Sequence, residues 1–336
     1  MARVTIAHIA ERLGVSKASV SYALNGQPGV SEATRQKVVA MAAELGWHPS
    51  FSARALSRSR ADAIGMVLRR DPTLLGTEPY YMRLLEGVED VLSDAGQSLL
   101  LRMVGTTPGR DTAVYERWAG EGRVDGVIVL DRAIDDPRPE LLTRLGLPFV
   151  LHGVLPGNEG GAERIEDQHR DAQLLVTHLF ELGHRHIAHV TGPLALAHEV
   201  DRRDAVAQEC AARGIEVDFA EADYTFDTAH ARVAELLGSG IRRPTALVFS
   251  NDVMAVAGLR ALADADAREI SLVSWDDSML CQFSYPTVTA LERYPDRAGR
   301  RSAAMLLELL DGRKWSTAAP TPSTLVVRES SRPARP

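Results

Sequence analysis

The chain has 336 residues, 45% hydrophobic and 25% charged, with a formal charge of −7. The length implies two or three domains, and the composition is that of a globular protein rather than a fibrous or disordered one. No apolar run reaches about 18 residues, MARVTIAHIAERLG has no signal-peptide core, and Cys210 and Cys281 are too few for a disulfide framework, so the chain reads as cytoplasmic.

The charge is uneven. Residues 1–60 hold eight Lys/Arg against three Asp/Glu, a net of +5, which leaves −12 on the remainder. A basic head on an acidic body suits contact with a polyanion. In the head, Ile6, Ile9, Ala10 and Leu13 recur at helical spacing behind Thr5, a good N-cap, and Gly14 ends the run. Ser16 caps a second helix over about 17–24, and Asn25 to Gly29 is loop. Ser31 caps a third helix over about 32–45, with Val38, Met41, Ala42 and Leu45 as its buried stripe. HPSFSARALSRSR (48–60) reads as a linker with room for about one and a half helical turns.

Two short helices joined by a turn containing Gly match a helix-turn-helix. In VSKASVSYALNG (15–26), Lys17, Ala18, Ser21 and Tyr22 share one face, and Val20 and Leu24 point the other way. Lys17 can donate to guanine, Ala18 can meet a thymine methyl, and Tyr22 can hydrogen-bond or pack on a base. Ser16, Ser19 and Ser31 suit phosphates and could equally be plain caps. Thr5 and Asn25 complete the candidate DNA-facing set.

From residue 62 strand-like runs alternate with amphipathic stretches. The runs are AIGMVL, QSLLLRM, DGVIVL, PFVLHG, HIAHVT, TALVFS, ISLVSW, VTAL and TLVVR. The helical stretches lie near 81–95, 111–120, 169–183, 200–213, 227–238, 252–264 and 296–311. Such alternation predicts parallel sheets covered on both faces. About 270 residues of it exceed one sheet, so two α/β subdomains are expected. The end of the chain, SSRPARP, reads as a disordered tail.

Over some fifty contiguous residues the head resembles the lactose-repressor (LacI) family, through VS-x-x-SVS, LNG, VSEATR, ELG-x-x-P and AR-x-L. GHRHIA, NDVMAVAG and DDS followed by YPTVTAL continue the resemblance through the body. The resemblance implies an all-α helix-turn-helix head and an α/β body of two Rossmann-like lobes, similar to periplasmic sugar-binding proteins. By this analogy the head is 1–47 and the hinge helix and linker 48–61. The body is 62–330, with lobe one at 62–163 and 293–319 and lobe two at 164–292 and 320–330, and 331–336 is tail. In the family the second helix reads bases, here Lys17, Ala18 and Tyr22. The hinge inserts a leucine into the minor groove, here Leu56, with Ala53 beside it and Arg54 supplying charge. Ser50 stands where the family usually has Asn.

In open α/β sheets ligands bind beyond the carboxyl ends of strands. Asn251 and Asp252 follow TALVFS, and Trp275, Asp276 and Asp277 follow ISLVS. The family has an arginine before a helix where Arg202 stands. Asn251, Asp276 and Arg202 can bond vicinal hydroxyls, and Trp275 can stack on a sugar face. Asp252 reads as a helix N-cap and Asp277 as a turn or cap residue. Tyr80 and Tyr81 face the cleft from the first lobe, or pack in a dimer or core. His152 stands where the family often has Asp or Asn.

The function expected is an effector-responsive transcriptional regulator, a repressor acting as a homodimer on a palindromic double-stranded DNA operator. A sugar or sugar derivative is the favoured effector. A purine or nucleoside corepressor, or an activator, fits the same residues. No enzyme activity, cofactor, metal or membrane is expected. GxSxG, P-loop and GxGxxG motifs are absent, and His184 and His186 of GHRH lack a third ligand at suitable spacing.

Overall fold

The computed structural model describes residues 4–47, 60–70, 76, 78–107, 109–156, 162–164, 167–238, 242–313 and 321–334, with 154–156 and 162–164 as backbone alone. It divides into two units, one ending at Ala61 and the other beginning at Asp62.

In the first unit the described helices are α1 (Ile6–Leu13), α2 (Lys17–Leu24) and α3 (Glu32–Glu44). The Ser16 hydroxyl accepts from Ser19 N at 3.0 Å and the Ser31 hydroxyl from Thr34 N at 3.2 Å, so both serines satisfy N-terminal amides. Thr5 precedes α1, and its own N–H donates to His8 Nδ1 at 3.2 Å. Ile9, Ala10, Val20, Ala23, Val38 and Ala42 form the core. Arg35 ties α3 to the end of α2, donating to the carbonyls of Ala23 and Gln27.

The second unit carries β1 (Ala63–Leu68), α4 (Pro79–Asp94), β2 (Ser98–Met103), α5 (Arg110–Glu121), β3 (Gly126–Val129), α6 (Arg138–Arg144) and β4 (Phe149–Leu151). A short antiparallel pair follows, β5 (Val154–Pro156) with β6 (Ala162–Arg164). Next come α7 (Gln168–Glu181), β7 (His186–Thr191), α8 (Ala197–Arg213), β8 (Glu216–Glu221), α9 (Phe226–Gly238), β9 (Ala246–Phe249), α10 (Asp252–Asp264), β10 (Ser271–Ser274), α11 (Met279–Phe283), β11 (Thr289–Glu292), α12 (Pro295–Leu310) and β12 (Thr324–Val326).

Two sheets result. The first lobe holds the order β2-β1-β3-β4, all parallel, and the second holds β12-β11-β10-β9-β7-β8, parallel except for β12. Central strands such as β1, β7 and β9 are buried at every residue, as helices on both faces require. The chain crosses between lobes after β11, because α12 returns to pack on α4 and β3 of the first lobe. That packing is close enough that a Cβ at Gly87 would collide with the Asp296 carbonyl, and one at Gly299 with the Leu84 carbonyl. The loops after β3 and β7 also meet across the lobes, where Ala197 N donates to Arg132 O at 2.8 Å.

Three expectations are corrected. β8 was not anticipated, because EVDFAE alternates in exposure as an edge strand and has no apolar run. Helices α6 and α11 span only 7 and 5 residues, too short for a clear periodicity. Residues 331–334, expected to be disordered, are tied down. Arg332 N donates to Ser271 Oγ at 2.9 Å, Ala334 N to Leu182 O at 2.8 Å, and the rings of His178 and His184 bond Ser331 Oγ and Arg332 O.

Candidate functional site

On the head, Lys17, Ala18 and Tyr22 are exposed, Tyr22 by 42%, while Val20 and Ala23 are buried on the opposite face of α2. Ser21 and Asn25 are half-buried and bonded to each other, Asn25 Nδ2 to Ser21 Oγ at 3.3 Å. Tyr22 lies over Gly29, and even a Cβ there would crowd its ring, so the loop before α3 holds this aromatic in place. A lysine ammonium, a methyl and a phenol therefore project from one short helix, the set that can meet donors, acceptors and methyls of a major groove. Ala53, Arg54 and Leu56 lie outside the described residues.

In the body, a cavity of about 120 Å³ is lined from both sheets. The strand-end rule explains its lining. Arg70 follows β1, Asp131 follows β3, His152 follows β4, Asn251 and Asp252 follow β9, Asp276 follows β10, and Arg293 follows β11. Tyr80 and Tyr81 reach it from the first turn of α4, and Arg202 from α8.

The first-lobe wall is built around Arg70. Its Nη1 stands 3.1 Å from Asp131 Oδ2 and its Nε 3.4 Å from Glu78 Oε2. Its guanidinium lies over the rings of Tyr81 and Tyr224, at 5.3 and 5.1 Å. Burial works against the Asp131 charge, yet Arg70, His198 and the Tyr81 hydroxyl outweigh it and hold that carboxyl below its usual range. Tyr81 donates to both Asp131 oxygens, at 2.9 and 2.7 Å, and the Tyr80 hydroxyl pairs with His152 Nε2 at 3.2 Å. His152 Nδ1 pairs in turn with Ser302 Oγ, so the ring is held at both nitrogens.

The second-lobe wall rests on Arg202 and Glu199. Arg202 donates to Gln168 Oε1, Glu199 Oε1 and the Ser250 carbonyl at 2.9–3.1 Å. Glu199, fully buried, also accepts from Gly192 N, Tyr224 Oη and Ser250 Oγ. Burial opposes its charge, but Arg202, His198 and these donors win and bring its pKa down to about 2. Asp276 accepts from Arg293 Nη1 at 3.0 Å, and Arg293 Nε lies 3.5 Å from Asp171.

Arg202, Asn251, Asp276, Tyr80, Tyr81 and His152 thus line one cavity. Trp275 does not, and its expected role as a stacking platform is corrected. It is 0% exposed, because alternation along β10 turns Val273 and Trp275 to the face under α7 and α8 while Leu272 faces the other core. One ring stacks on Trp275, that of His189 at 5.9 Å, and the Arg202 guanidinium sits over it at 5.1 Å. The cap assignment is corrected too. Asn251 Oδ1 accepts from Met254 N at 2.8 Å and caps α10, while Asp252 lines the cavity. Asp277 forms a two-bonded pair with Arg328. Arg70, Glu78, Asp131, Gln168, Tyr224 and Arg293 were missed. The strand-end rule, extended to AIGMVL, DGVIVL and VTAL, would have found three of these, Arg70, Asp131 and Arg293. His184 and His186 bond Thr245 and Asp218 respectively.

The sequence fits the family described as bacterial regulatory proteins, lacI family, over residues 5–50, and a periplasmic binding protein-like domain over residues 176–331. It is 31% identical to the HTH-type transcriptional regulator CelR of Thermobifida fusca, over 98% of each chain. It is 28% identical to the HTH-type transcriptional repressor PurR of Photobacterium profundum, over 90% of this chain and 91% of that one. Among solved structures it resembles a CelR–cellobiose complex, with 29% identity, a TM-score of 0.71 and coverage of 98% and 100%. It also resembles a lac repressor dimer bound to operator and the anti-inducer ONPF, with 25% identity, a TM-score of 0.84 and coverage of 98% and 100%.

Proposed function

The chain belongs to the lacI family of bacterial regulatory proteins, as a DNA-binding transcriptional regulator, and on that premise we propose that it is a repressor whose operator binding is changed by a small hydroxyl-rich effector, a sugar or sugar derivative, held between the lobes. The convergence of Arg202, Asn251 and Asp276 from the second lobe with Tyr80, Tyr81 and His152 from the first, on one cavity at strand ends of both sheets, carries this reading. Paired donors and acceptors at fixed separation are what vicinal hydroxyls require. The test is a thermal-shift screen of sugars, nucleosides and purines on the full chain, followed by operator binding with each hit. A screen in which only purines shift the melt would overturn the sugar reading.

Lys17, Ala18 and Tyr22 read bases, with Thr5, Ser16, Ser21, Asn25 and Ser31 placed around them for register. Replacing Lys17 by alanine is expected to change the preferred base at one half-site position, at about 1–3 kcal/mol for that contact. A binding-site selection that returned the wild-type preference would count against the assignment. Leu56 is proposed, on the family resemblance, to enter the minor groove, with Ala53 beside it and Arg54 supplying charge.

The chain acts as a homodimer, since a palindromic operator takes two heads. Met279, Phe283 and Tyr285, exposed by 66, 80 and 90%, form an apolar surface on and just after α11, and Phe226 is 40% exposed at the start of α9. Helix α10 packs against both α9 and α11. A second copy of this chain is the proposed cover, because exposed large apolar groups mark such contacts. Phe283→Glu combined with Tyr285→Glu should give a monomer in analytical ultracentrifugation with weakened operator binding. A variant that sediments as wild type would place the interface elsewhere.

A further inference from the structure

Two buried carboxyls line the cavity from opposite lobes without a full set of partners. Glu78, just ahead of α4, is 5% exposed, and Asp252, the first residue of α10, is 2% exposed. Among the described residues, Glu78 Oε2 and Asp252 Oδ2 accept no hydrogen bond of good geometry, and Arg70 Nε, 3.4 Å from Glu78 Oε2, meets it as an ion pair only. Asp252 Oδ1 accepts from Val253 N at 2.8 Å, and Ser278 lies beside the carboxyl. Burial removes water from an acceptor and leaves its bonding capacity unused, so two such oxygens at one cavity suit an occupant that supplies donors to both.

We propose that Glu78 and Asp252 form a two-sided acceptor across the cleft that selects the effector by its hydrogen-bond donors, supplied by hydroxyls or by an ammonium group. This rests on the reading of the cleft as the effector site and names the chemistry that the site demands. Each carboxyl takes one donor from the ligand, and any proton that it held passes to solvent. No covalent bond in the ligand changes.

The surroundings agree with the geometry. Glu78 is faced by Arg70, Asp131, Tyr81 and, across the cavity, Asp252. Asp252 is faced by Asp276 and lies near Ser278 and Cys281. Burial raises Glu78 to about 7 against the pull of Arg70, with Asp131 and Asp252 adding to the rise. Burial and then Asp276 raise Asp252 to about 7. Each carboxyl therefore destabilises the empty protein as pH rises from about 4 to about 7, and the cost is level beyond that.

The experiment uses the full chain and its Glu78→Gln and Asp252→Asn variants. Without ligand, both variants should melt above wild type at about pH 8, with the gap shrinking as the pH is lowered to about 4. A gap independent of pH, or variants that melt lower at about pH 8, would overturn the proposal. Cellobiose and glucosamine are then titrated as probes of the hydroxyl and the ammonium source. At least one should raise the wild-type melt, and its affinity should fall on the order of tenfold or more in each variant. The probe that binds identifies the source of the donors. No shift from either probe, or undiminished affinity in both variants, removes the claim. Loss of binding in Asp276→Ala but not in Glu78→Gln or Asp252→Asn would sink this proposal alone and leave the cleft reading standing.

Discussion

A Glu199→Ala chain is expected to lose on the order of 3–5 kcal/mol of stability, the cost of stranding a buried charge. Arg202 is 4% exposed, and Glu199 is its only carboxylate hydrogen-bond partner among the described residues. Four donors converge on Glu199: Arg202 Nη1, Gly192 N, Tyr224 Oη and Ser250 Oγ. Alanine removes all four acceptor contacts together. Glu199→Gln keeps the shape and one acceptor but turns an amide toward donors, so it should recover only part of the loss. Because the folded-state pKa is about 2 against an ordinary 4.5, the carboxylate's contribution is present above about pH 4.5 and is lost as pH falls toward 2. Wild type and Glu199→Ala should therefore converge in acid. Denaturant melts over a pH series measure this, and equal midpoints at neutral pH would mean that Gln168 and the Ser250 carbonyl suffice for Arg202.

The opposite sign at Glu78 and Asp252 makes the cleft divided in its response to pH. Glu199 favours the folded chain when ionised, and the two cavity carboxyls oppose it. A wall in which Glu199 and Arg202 are held by several bonds behind, with acceptors turned to the cavity in front, is suited to receive a ligand, since the groups that position it cannot relax away.

What was legible in the sequence follows from which signals are local. The three head helices depend on Thr5, Ser16 and Ser31 and on a spacing of three and four residues, all read within a single turn of chain. The central strands of the body are unbroken apolar runs because they are buried on both faces. Asn251 and Asp276 were found because they follow such runs directly. Trp275 was misplaced because position after a strand does not say which face a side chain takes, and one residue decides between core and cleft. Glu78 could not be found from sequence. It sits outside any strand end, and its burial comes from Arg70 and from residues far along the chain. The Arg70–Asp131 and Arg202–Gln168 contacts join residues dozens of positions apart, which no local pattern encodes. The ordered tail was hidden for the same reason, since its partners are Ser271, Leu182 and two histidines of the second lobe.

Asp276→Ala is expected to abolish the response to effector while operator binding remains. The side chain lines the cavity and its Oδ1 accepts from Arg293 Nη1 at 3.0 Å. Arg293 retains Asp171, whose Oδ2 is 3.5 Å from its Nε, so the substitution does not strand that arginine. The loss therefore falls on the ligand, whose donor is left without its acceptor, at about 1–3 kcal/mol or more. Asp276→Asn separates charge from shape, since it can still accept one bond but offers an amide where a carboxylate stood. If hydroxyl donors are what Asp276 receives, Asn should bind more weakly than wild type and more tightly than Ala. Removing the negative charge has a second effect. Asp276 is what raises Asp252 after burial itself, so Asp252 should ionise at lower pH in either variant. The head forms a unit of its own with its own core, so folding of the DNA-reading face does not depend on this carboxylate. Effector affinity is then what the substitution removes, while operator affinity in the absence of effector should stay as in wild type. Calorimetric titration of the effector found in the sugar screen, with and without operator, measures it. Wild-type affinity in Asp276→Ala would move the effector out of this cleft.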